Sequence, residues 1–264
     1  MNPPAPIAVL QPDWQGLSSQ VKAFATLRSG GVSTGVYGGP AGLNGLNLGD
    51  HVGDDPLAVE ANRQRVNALL PSDVIFLSQV HGTLVVDGTQ LRPGVCADAV
   101  VTSMPGVVCA VLTADCLPVL FSDAEGRVVG AAHAGWRGLA AGILENTVNE
   151  MRSRGAQNIS AWMGAAIGPQ KFEVGQDVYD VFTAQDGEAA RFFVKISSND
   201  VNGLQQKYVA DIYQLARLAL SKVGVVNVVG GEYCTVSDAQ KFYSYRRDKE
   251  TGRMASLIWI EPTA

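Results

Sequence analysis

The composition of the chain sets broad limits on its structure and its partners. Its 264 residues are 47% hydrophobic and 17% charged, which provides enough apolar side chains for a sizeable buried core. The formal net charge of −5 argues against nucleic acid or an anionic membrane as the main partner. A phosphate-bearing ligand therefore requires a local binding site and not a basic surface.

The sequence lacks the features of an exported or membrane-inserted protein. Residues 1–16 are rich in proline and lack the basic and apolar regions of a signal peptide. The apolar stretches are shorter than the roughly 20 residues that a membrane span requires. We therefore expect a cytoplasmic protein whose four cysteines are free thiols. Three of them are assigned to packing, namely Cys96, Cys109 and Cys234.

The N-terminal half begins with a glycine-dense segment, residues 29–53, which predicts a long binding loop or lid. Asp55 as an N-cap and Pro56 at the first helical position then predict a helix that ends near residue 70. Short apolar runs after this helix predict strands. These predicted strands are 74–77, 83–86, 107–112, 119–122, 127–132 and 159–167.

The C-terminal half contains helical as well as strand patterns. Helices are predicted at 138–154 and at 206–222, the second ended by Gly224, and late strands at 225–229 and 257–260. Helices and strands do not alternate strictly along the chain. We therefore expect a mixed α/β (α+β) fold in which residues 1–264 form one domain. Its architecture is a sandwich of mixed β-sheets flanked by helices, and not a Rossmann fold.

Three residues with metal-binding side chains occur where strands are predicted to end. His81 and His133 follow predicted strands, and Cys116 lies between two of them. One cysteine and two histidines form a suitable ligand set for Zn²⁺ and leave a fourth position for water. The alternative is that the histidines are hydrogen-bonded polar residues and that Cys116 is part of the core. His51, in the glycine-rich segment, is interpreted as a loop hydrogen-bonder and not as a ligand.

The segment 133–138 leads from a predicted strand directly into a predicted helix. Gly135 allows backbone N–H groups to face outward, and Arg137 adds a fork of donors near a positive helix end. These features are compatible with a phosphate site beside the metal. The segment could equally be a simple strand-to-helix turn with Trp136 packed beneath it.

Several motifs together resemble the laccase-domain family, also called the polyphenol-oxidase-like or multicopper-polyphenol-oxidoreductase-like family and associated with purine nucleoside phosphorylase activity. The resemblance covers nearly the whole chain. It rests on Gln79-Val80-His81-Gly82, Thr113-Ala114-Asp115-Cys116-Leu117-Pro118, His133-Ala134-Gly135-Trp136-Arg137-Gly138, Phe172-Glu173-Val174-Gly175 and Tyr243-Ser244-Tyr245-Arg246-Arg247-Asp248.

The resemblance implies zinc on His81, Cys116 and His133, with Cys116 also counted among the catalytic residues. It further implies phosphorolysis of adenosine, inosine, guanosine and methylthioadenosine, together with adenosine deamination. Asn44 or Asn47 would then contact the substrate.

Arg63, also carried over from the resemblance, and the turn at residues 135–138 would hold the phosphate and the substrate. Deamination needs a proton carrier, for which Asp115 and Glu173 are the candidates. The zinc deaminase pattern of His-x-Glu with Cys-x-x-Cys is absent from the sequence. Each of these residues also has a structural alternative. Arg63 could lie on a solvated helix face, Asp115 could fix its loop through backbone hydrogen bonds, and Glu173 could be a surface residue.

Three other functions remain open at this point. Cys116 could be the nucleophile of a metal-free hydrolase or peptidoglycan-precursor editing enzyme, with His81 or His133 as its base. The His₂Cys set could bind one copper ion in a polyphenol oxidase, although copper is less favoured than zinc beside an anion-binding turn. Three histidines are too few for a blue-copper site plus a trinuclear cluster. The third alternative is a non-enzymatic metal-binding module.

Overall fold

The computed structural model describes residues 6–196 and 206–262, and this part of the chain contains fourteen strands and six α-helices. The strands are β1 Val9–Leu10, β2 Val21–Thr26, β3 Ser29–Ser33, β4 Val85–Asp87, β5 Ala99–Thr102, β6 Cys109–Thr113, β7 Leu117–Ser122, β8 Val129–Ala134, β9 Ser160–Met163, β10 Glu173–Gly175, β11 Phe193–Ile196, β12 Lys207–Ala210, β13 Val228–Gly230 and β14 Met254–Ile260. The helices are α1 Pro56–Asn67, α2 Trp136–Ala141, α3 Ile143–Ser153, α4 Gln176–Gln185, α5 Ile212–Lys222 and α6 Tyr245–Asp248.

Two β-sheets pack face to face at the centre of the protein. One has the strand order β1-β2-β14-β6 and is antiparallel throughout. The other has the order β13-β9-β7-β8-β5-β4 and is mixed, because β13 and β4 run parallel to their neighbours. Val111 and Ile258 of the first sheet belong to the same buried cluster as Leu120 and Trp162 of the second. Burial of these side chains is the main force that holds the sheets together.

Helices cover the outer faces of both sheets. Val119, on the far face of the six-stranded sheet, shares a buried cluster with Leu144 of α3 and Leu215 of α5. Leu257, on the far face of the four-stranded sheet, shares another with Val66 of α1. A third sheet, β10-β12-β11, extends the first of these clusters. The predicted mixed α/β sandwich flanked by helices, as opposed to a Rossmann fold, is confirmed.

The start of α1 follows the sequence signals. The Asp55 carboxylate accepts a hydrogen bond from the Leu57 N–H, and Pro56 occupies the first helical position. The helix ends at Asn67, a few residues earlier than expected. Most predicted strands are present with ends shifted by a few residues, although the strand predicted for 159–167 ends at Met163.

Two helix predictions were wrong in part. Residues 207–210, predicted as helix, form β12, which pairs with both β10 and β11. Asp211 follows this strand and caps α5 by accepting the N–H groups of Tyr213 and Gln214. The helix predicted for 138–154 is two helices, because Gly142 adopts a left-handed conformation (φ 98°) between α2 and α3.

The prediction of a strand at 74–77 was wrong, and so was part of the long-loop prediction. Residues 74–77 belong to no strand, and the bridge nearby joins Ser78 to Cys96. The glycine-rich segment begins with strand β3 instead of loop. Later in this segment, a side chain at Gly45 would collide with the Tyr37 carbonyl oxygen, because a Cβ atom there would lie 1.9 Å from it.

The cysteines are free thiols, as expected, and Cys109 is buried. Cys96 is exposed, so its assignment to packing was wrong. In the described part of the chain, no helix reaches the length and apolarity that a membrane span requires.

Candidate metal centre and pocket

His81, Cys116 and His133 converge on one point, as the sequence predicted. One potential ligand atom of each lies within 4.8 Å of the others. Cys116 Sγ is 3.6 Å from His81 Nε2, and the two imidazole rings meet edge to face with centroids 4.7 Å apart. His133 is buried, Cys116 is half-buried and His81 is exposed. One ion could therefore bind all three from a site that solvent reaches on one side.

The six-stranded sheet positions two of the three residues. Cys116 directly precedes β7, and His133 lies near the end of β8, the neighbouring strand, where it pairs with Pro118. His81 was also expected to end a strand, but it lies in a loop before β4 and has a left-handed backbone (φ 60°). Such a conformation is unfavourable for a residue with a Cβ atom, so the loop must be held in place by other contacts.

Asp98 supplies those contacts. Its carboxylate accepts backbone N–H bonds from three consecutive residues: Val80 (3.2 Å), His81 (2.9 Å) and Gly82 (2.7 Å). The same carboxylate lies 2.8 Å from His133 Nδ1. Asp98 is fully buried, and a buried charge of this kind is stable only when it is well hydrogen-bonded. With Nδ1 bound to Asp98, Nε2 of His133 remains to face Cys116.

Asp115 anchors the loop that carries Cys116. Its backbone is left-handed (φ 95°), and its carboxylate accepts bonds from Thr235 Oγ1 and from the Arg246 N–H, both at 2.6 Å. Both carboxylate oxygens are therefore engaged by the protein. This geometry matches the structural alternative for Asp115, a carboxylate that fixes its loop.

The electrostatics of the cluster favour a thiolate. Burial opposes ionisation of Cys116, but hydrogen bonds with His133 and His81 outweigh burial and lower the pKa of the thiol to about 6. Burial likewise disfavours the charged form of His133, but its bonds to Asp98 and Cys116 raise the pKa of the imidazole to about 9. Without a metal, these contacts favour a thiolate–imidazolium pair.

The residue types and their environment fit zinc. A thiolate and two imidazoles are preferred zinc ligands, and the carboxylate on His133 Nδ1 is the usual outer partner of a metal-binding histidine. Gly135 leaves the cluster uncrowded, since a Cβ atom there would lie 2.7 Å from His81 Cδ2 and 3.2 Å from Cys116 Sγ. A multicopper cluster does not fit, because the chain has three histidines and His51 is outside this group.

The cluster opens into a pocket with a volume of about 730 Å³. One wall is apolar and includes Ile75, Phe76 and Leu112, so the segment wrongly predicted as a strand is a pocket wall. The charged and polar lining residues outside the cluster are Asp50, His51, Arg63, Ser78, Gln79, Thr113, Tyr245 and Arg253. The pocket thus combines an apolar surface with cationic groups beside the candidate metal ligands.

Arg63 lines this pocket and is held in a fixed orientation. Its Nε and Nη2 atoms donate to the Leu48 carbonyl at 3.0 and 2.9 Å, and Nη2 is 3.1 Å from an Asp50 carboxylate oxygen. Its guanidinium also lies over the Phe76 ring, 4.9 Å from the centroid. These bonds use Nε and Nη2 of Arg63, so among the described residues its Nη1 atom is left to contact a ligand. The structure therefore favours the pocket over the solvated helix face for this side chain.

The other predicted site residues lie outside the pocket lining of the described chain. Asn47 is fully buried, where its amide bonds to Gly49, Asp54 and the Arg253 N–H. Arg137 is exposed and stacks on Trp136. Glu173 is exposed, 3.7 Å from Lys207 Nζ, and Asn44 is an exposed residue of a left-handed turn.

Sequence reasoning missed two residues of the centre. Asp98 has a recognisable signal, a single carboxylate within an otherwise apolar run from Cys96 to Val101. Arg253 lines the pocket, and burial lowers its pKa while the Cys116 thiolate opposes this effect. Arg253 belongs to the segment that follows α6, and nothing in its local sequence marks it as a pocket residue.

Comparison with known proteins identifies relatives of the whole chain. The family described as multi-copper polyphenol oxidoreductase laccase matches residues 22–261. A Pseudomonas aeruginosa protein named purine nucleoside phosphorylase PA4543 is 48% identical over 96% of this chain and 99% of its own. An Escherichia coli protein named purine nucleoside phosphorylase YfiH is 49% identical over 91% of this chain and 94% of its own.

The fold is also similar to solved structures. The crystal structure of Neisseria meningitidis protein NMB0706 has a TM-score of 0.86 and 46% identity, and it covers 98% of this chain and 100% of its own. The resemblance seen in the sequence motifs is thus confirmed at the level of sequence and fold. The chain belongs to the multi-copper polyphenol oxidoreductase laccase family.

Proposed function

We propose that this protein is a zinc-dependent purine nucleoside phosphorylase. The observation that carries the proposal is the convergence of a His–Cys–His cluster and two arginines, Arg63 and Arg253, on one pocket. The names of its relatives, purine nucleoside phosphorylases at 48–49% identity, support the same reaction. The expected substrates are adenosine, inosine, guanosine and methylthioadenosine, each with inorganic phosphate.

His81, Cys116 and His133 are the proposed zinc ligands. When bound there, zinc supplies a Lewis acid beside the reacting ribose or base. The Asp98 carboxylate keeps Nε2 of His133 directed at the ligand cluster, and Asp115 holds the loop of Cys116.

The pocket residues have separate roles in phosphorolysis. A phosphate oxygen forms a bond to C1′ while the C1′–N9 bond breaks, and the bonding electrons leave with the purine. Arg63 and Arg253 are the proposed phosphate-binding residues, because both are cationic and line the pocket. The apolar wall around Phe76 is the proposed surface for the purine ring. Fixing both reactants in one pocket lowers the barrier by orientation and electrostatic stabilisation.

The geometry gives less support to three earlier assignments. Arg137 is stacked on Trp136 outside the pocket, so we assign phosphate binding to Arg63 and Arg253 instead. Asn47 is buried with its amide engaged, which favours a loop-forming role over direct substrate contact. Adenosine deamination is the second proposed reaction, but neither candidate proton carrier faces the pocket: both Asp115 oxygens are engaged and Glu173 lies outside the pocket lining.

One observation favours a second candidate function. The thiolate of Cys116 beside the His133 imidazolium is the arrangement of a cysteine nucleophile with its base. A metal-free cysteine hydrolase, including a peptidoglycan-precursor editing enzyme, would use this pair directly. A cysteine that ligates zinc in the resting enzyme is not also a nucleophile, so metal content separates the two functions. A polyphenol oxidase would instead contain copper and consume oxygen.

The first prediction concerns metal content. Purified protein should contain about one zinc ion per chain, and Cys116→Ala should lower zinc occupancy and phosphorolysis together, because it removes the thiolate ligand. Elemental analysis of the two proteins measures this. Cys96→Ala is the matched control, since Cys96 is an exposed thiol outside the cluster and its loss should leave zinc unchanged. Full zinc occupancy in Cys116→Ala would contradict the ligand assignment.

The second prediction concerns the reaction. With inosine, ribose-1-phosphate and hypoxanthine should form only when phosphate is supplied, and a chelator should stop the reaction. Chromatography of the products, with and without phosphate, measures this. Base release that is indifferent to phosphate would end the phosphorylase proposal. If that release survived metal removal but not thiol alkylation, the hydrolase alternative would replace it.

The third prediction concerns Arg63. Arg63→Ala should reduce kcat/KM for phosphorolysis by the equivalent of about 2–4 kcal/mol, as for a lost preorganised donor, without lowering zinc content. Arg65→Ala is the matched control on the same helix, because Arg65 also donates to a backbone carbonyl, that of Gly30 in β3, but does not line the pocket. Equal rates for the two variants would assign Arg63 to loop support only.

A further inference from the structure

The buried carboxylate of Asp98 is in contact with two separate ligand segments. Its Oδ1 atom accepts the His81 N–H and lies 2.8 Å from His133 Nδ1, while Oδ2 accepts the N–H groups of Val80 and Gly82. Two oxygens therefore receive four bonds. The Asp98 carbonyl also accepts the His133 N–H at 2.7 Å, so side chain and backbone both tie Asp98 to His133.

These contacts address two different requirements of the cluster. His81 has a left-handed backbone, and the three N–H bonds to Asp98 hold its loop in that conformation. His133 can present either ring nitrogen, and the bond to Nδ1 leaves Nε2 as the ligand atom. Because one carboxylate does both, the backbone conformation of His81 and the ring orientation of His133 are coupled before any ion arrives.

We infer that Asp98 is a positioning residue that preorganises the zinc site by coupling His81 to His133. The inference rests on the zinc assignment of the proposed function and adds to it a residue that is not itself a ligand. A preorganised site binds its ion without first having to order the two histidines, so loss of Asp98 should weaken zinc binding. Outer partners of metal-binding histidines typically contribute about 10–100-fold in metal affinity.

Asp123 provides a matched control in the β7–β8 hairpin, which also carries His133. It is also a buried aspartate, and its Oδ1 accepts two loop N–H bonds, from Arg127 (2.7 Å) and Val128 (3.0 Å). It lies at the opposite end of the β7–β8 hairpin from the cluster. Asp123→Asn should therefore disturb a carboxylate-bound loop without touching a histidine.

The test is a zinc titration of full-length protein against a chromogenic chelator. Asp98→Asn should raise the zinc dissociation constant about 10–100-fold, since an amide offers one acceptor oxygen where the carboxylate offers two. The dissociation constant of Asp123→Asn should stay within about 2-fold of the wild-type value, because Asp123, unlike Asp98, does not contact the histidines. Circular dichroism of each variant confirms that it is folded. An unchanged constant in Asp98→Asn, or equal weakening in both variants, would overturn the positioning role.

A second measurement does not depend on a folded variant. In ¹⁵N-labelled, zinc-loaded wild type, histidine NMR spectra should show His133 protonated at Nδ1 and metal-bound through Nε2. Ligation through Nδ1 would overturn the inference, because that atom could not then donate to Asp98. A wild-type protein without zinc affinity would overturn the zinc assignment and this inference together. The other outcome is tight zinc binding by both the wild type and Asp98→Asn. That outcome would overturn the positioning role alone.

Discussion

The hydrogen bonds of the buried Asp98 carboxylate are the interaction on which the rest of the centre depends. They hold His81 in an unfavourable backbone conformation and fix the orientation of His133, two residues that are 52 positions apart in the chain. A buried carboxylate is costly unless it is fully hydrogen-bonded, and Asp98 meets that condition only when both segments are in place. The same bonds therefore link the stability of this region to the geometry of the candidate metal ligands.

The two packed sheets determine where the centre can form. β7 and β8 are neighbours, so Cys116, directly before β7, and His133, near the end of β8, lie close together. The Asp115 carboxylate joins the loop of Cys116 to the C-terminal segment, because it accepts hydrogen bonds from the Thr235 hydroxyl and from the N–H of Arg246. That segment then leads to Arg253 in the pocket wall. Residues from distant parts of the chain thus meet in one cavity because the sheets bring their loops together.

Local signals in the sequence were sufficient where local interactions determine the structure. Asp55 and Pro56 predicted the start of α1, and the three ligand candidates were found from their side-chain chemistry and their predicted positions near strand ends, although His81 lies in a loop. Prediction failed where distant contacts decide: residues 207–210 form β12 because they are paired on both sides by β10 and β11. Asp98 was missed for the same reason, since its partners are 16–35 residues away. Its position as a lone carboxylate in an apolar run was the available clue.

The central claim is that one zinc ion is held by a thiolate and two imidazoles at the edge of the pocket that Arg63 and Arg253 line. X-ray absorption spectroscopy at the zinc edge of the purified protein tests it most directly, because sulfur and nitrogen neighbours scatter differently. The account predicts one sulfur neighbour at about 2.3 Å and nitrogen or oxygen neighbours at about 2.0–2.1 Å. A zinc ion without a sulfur neighbour would contradict the account, because Cys116 would then not be a ligand.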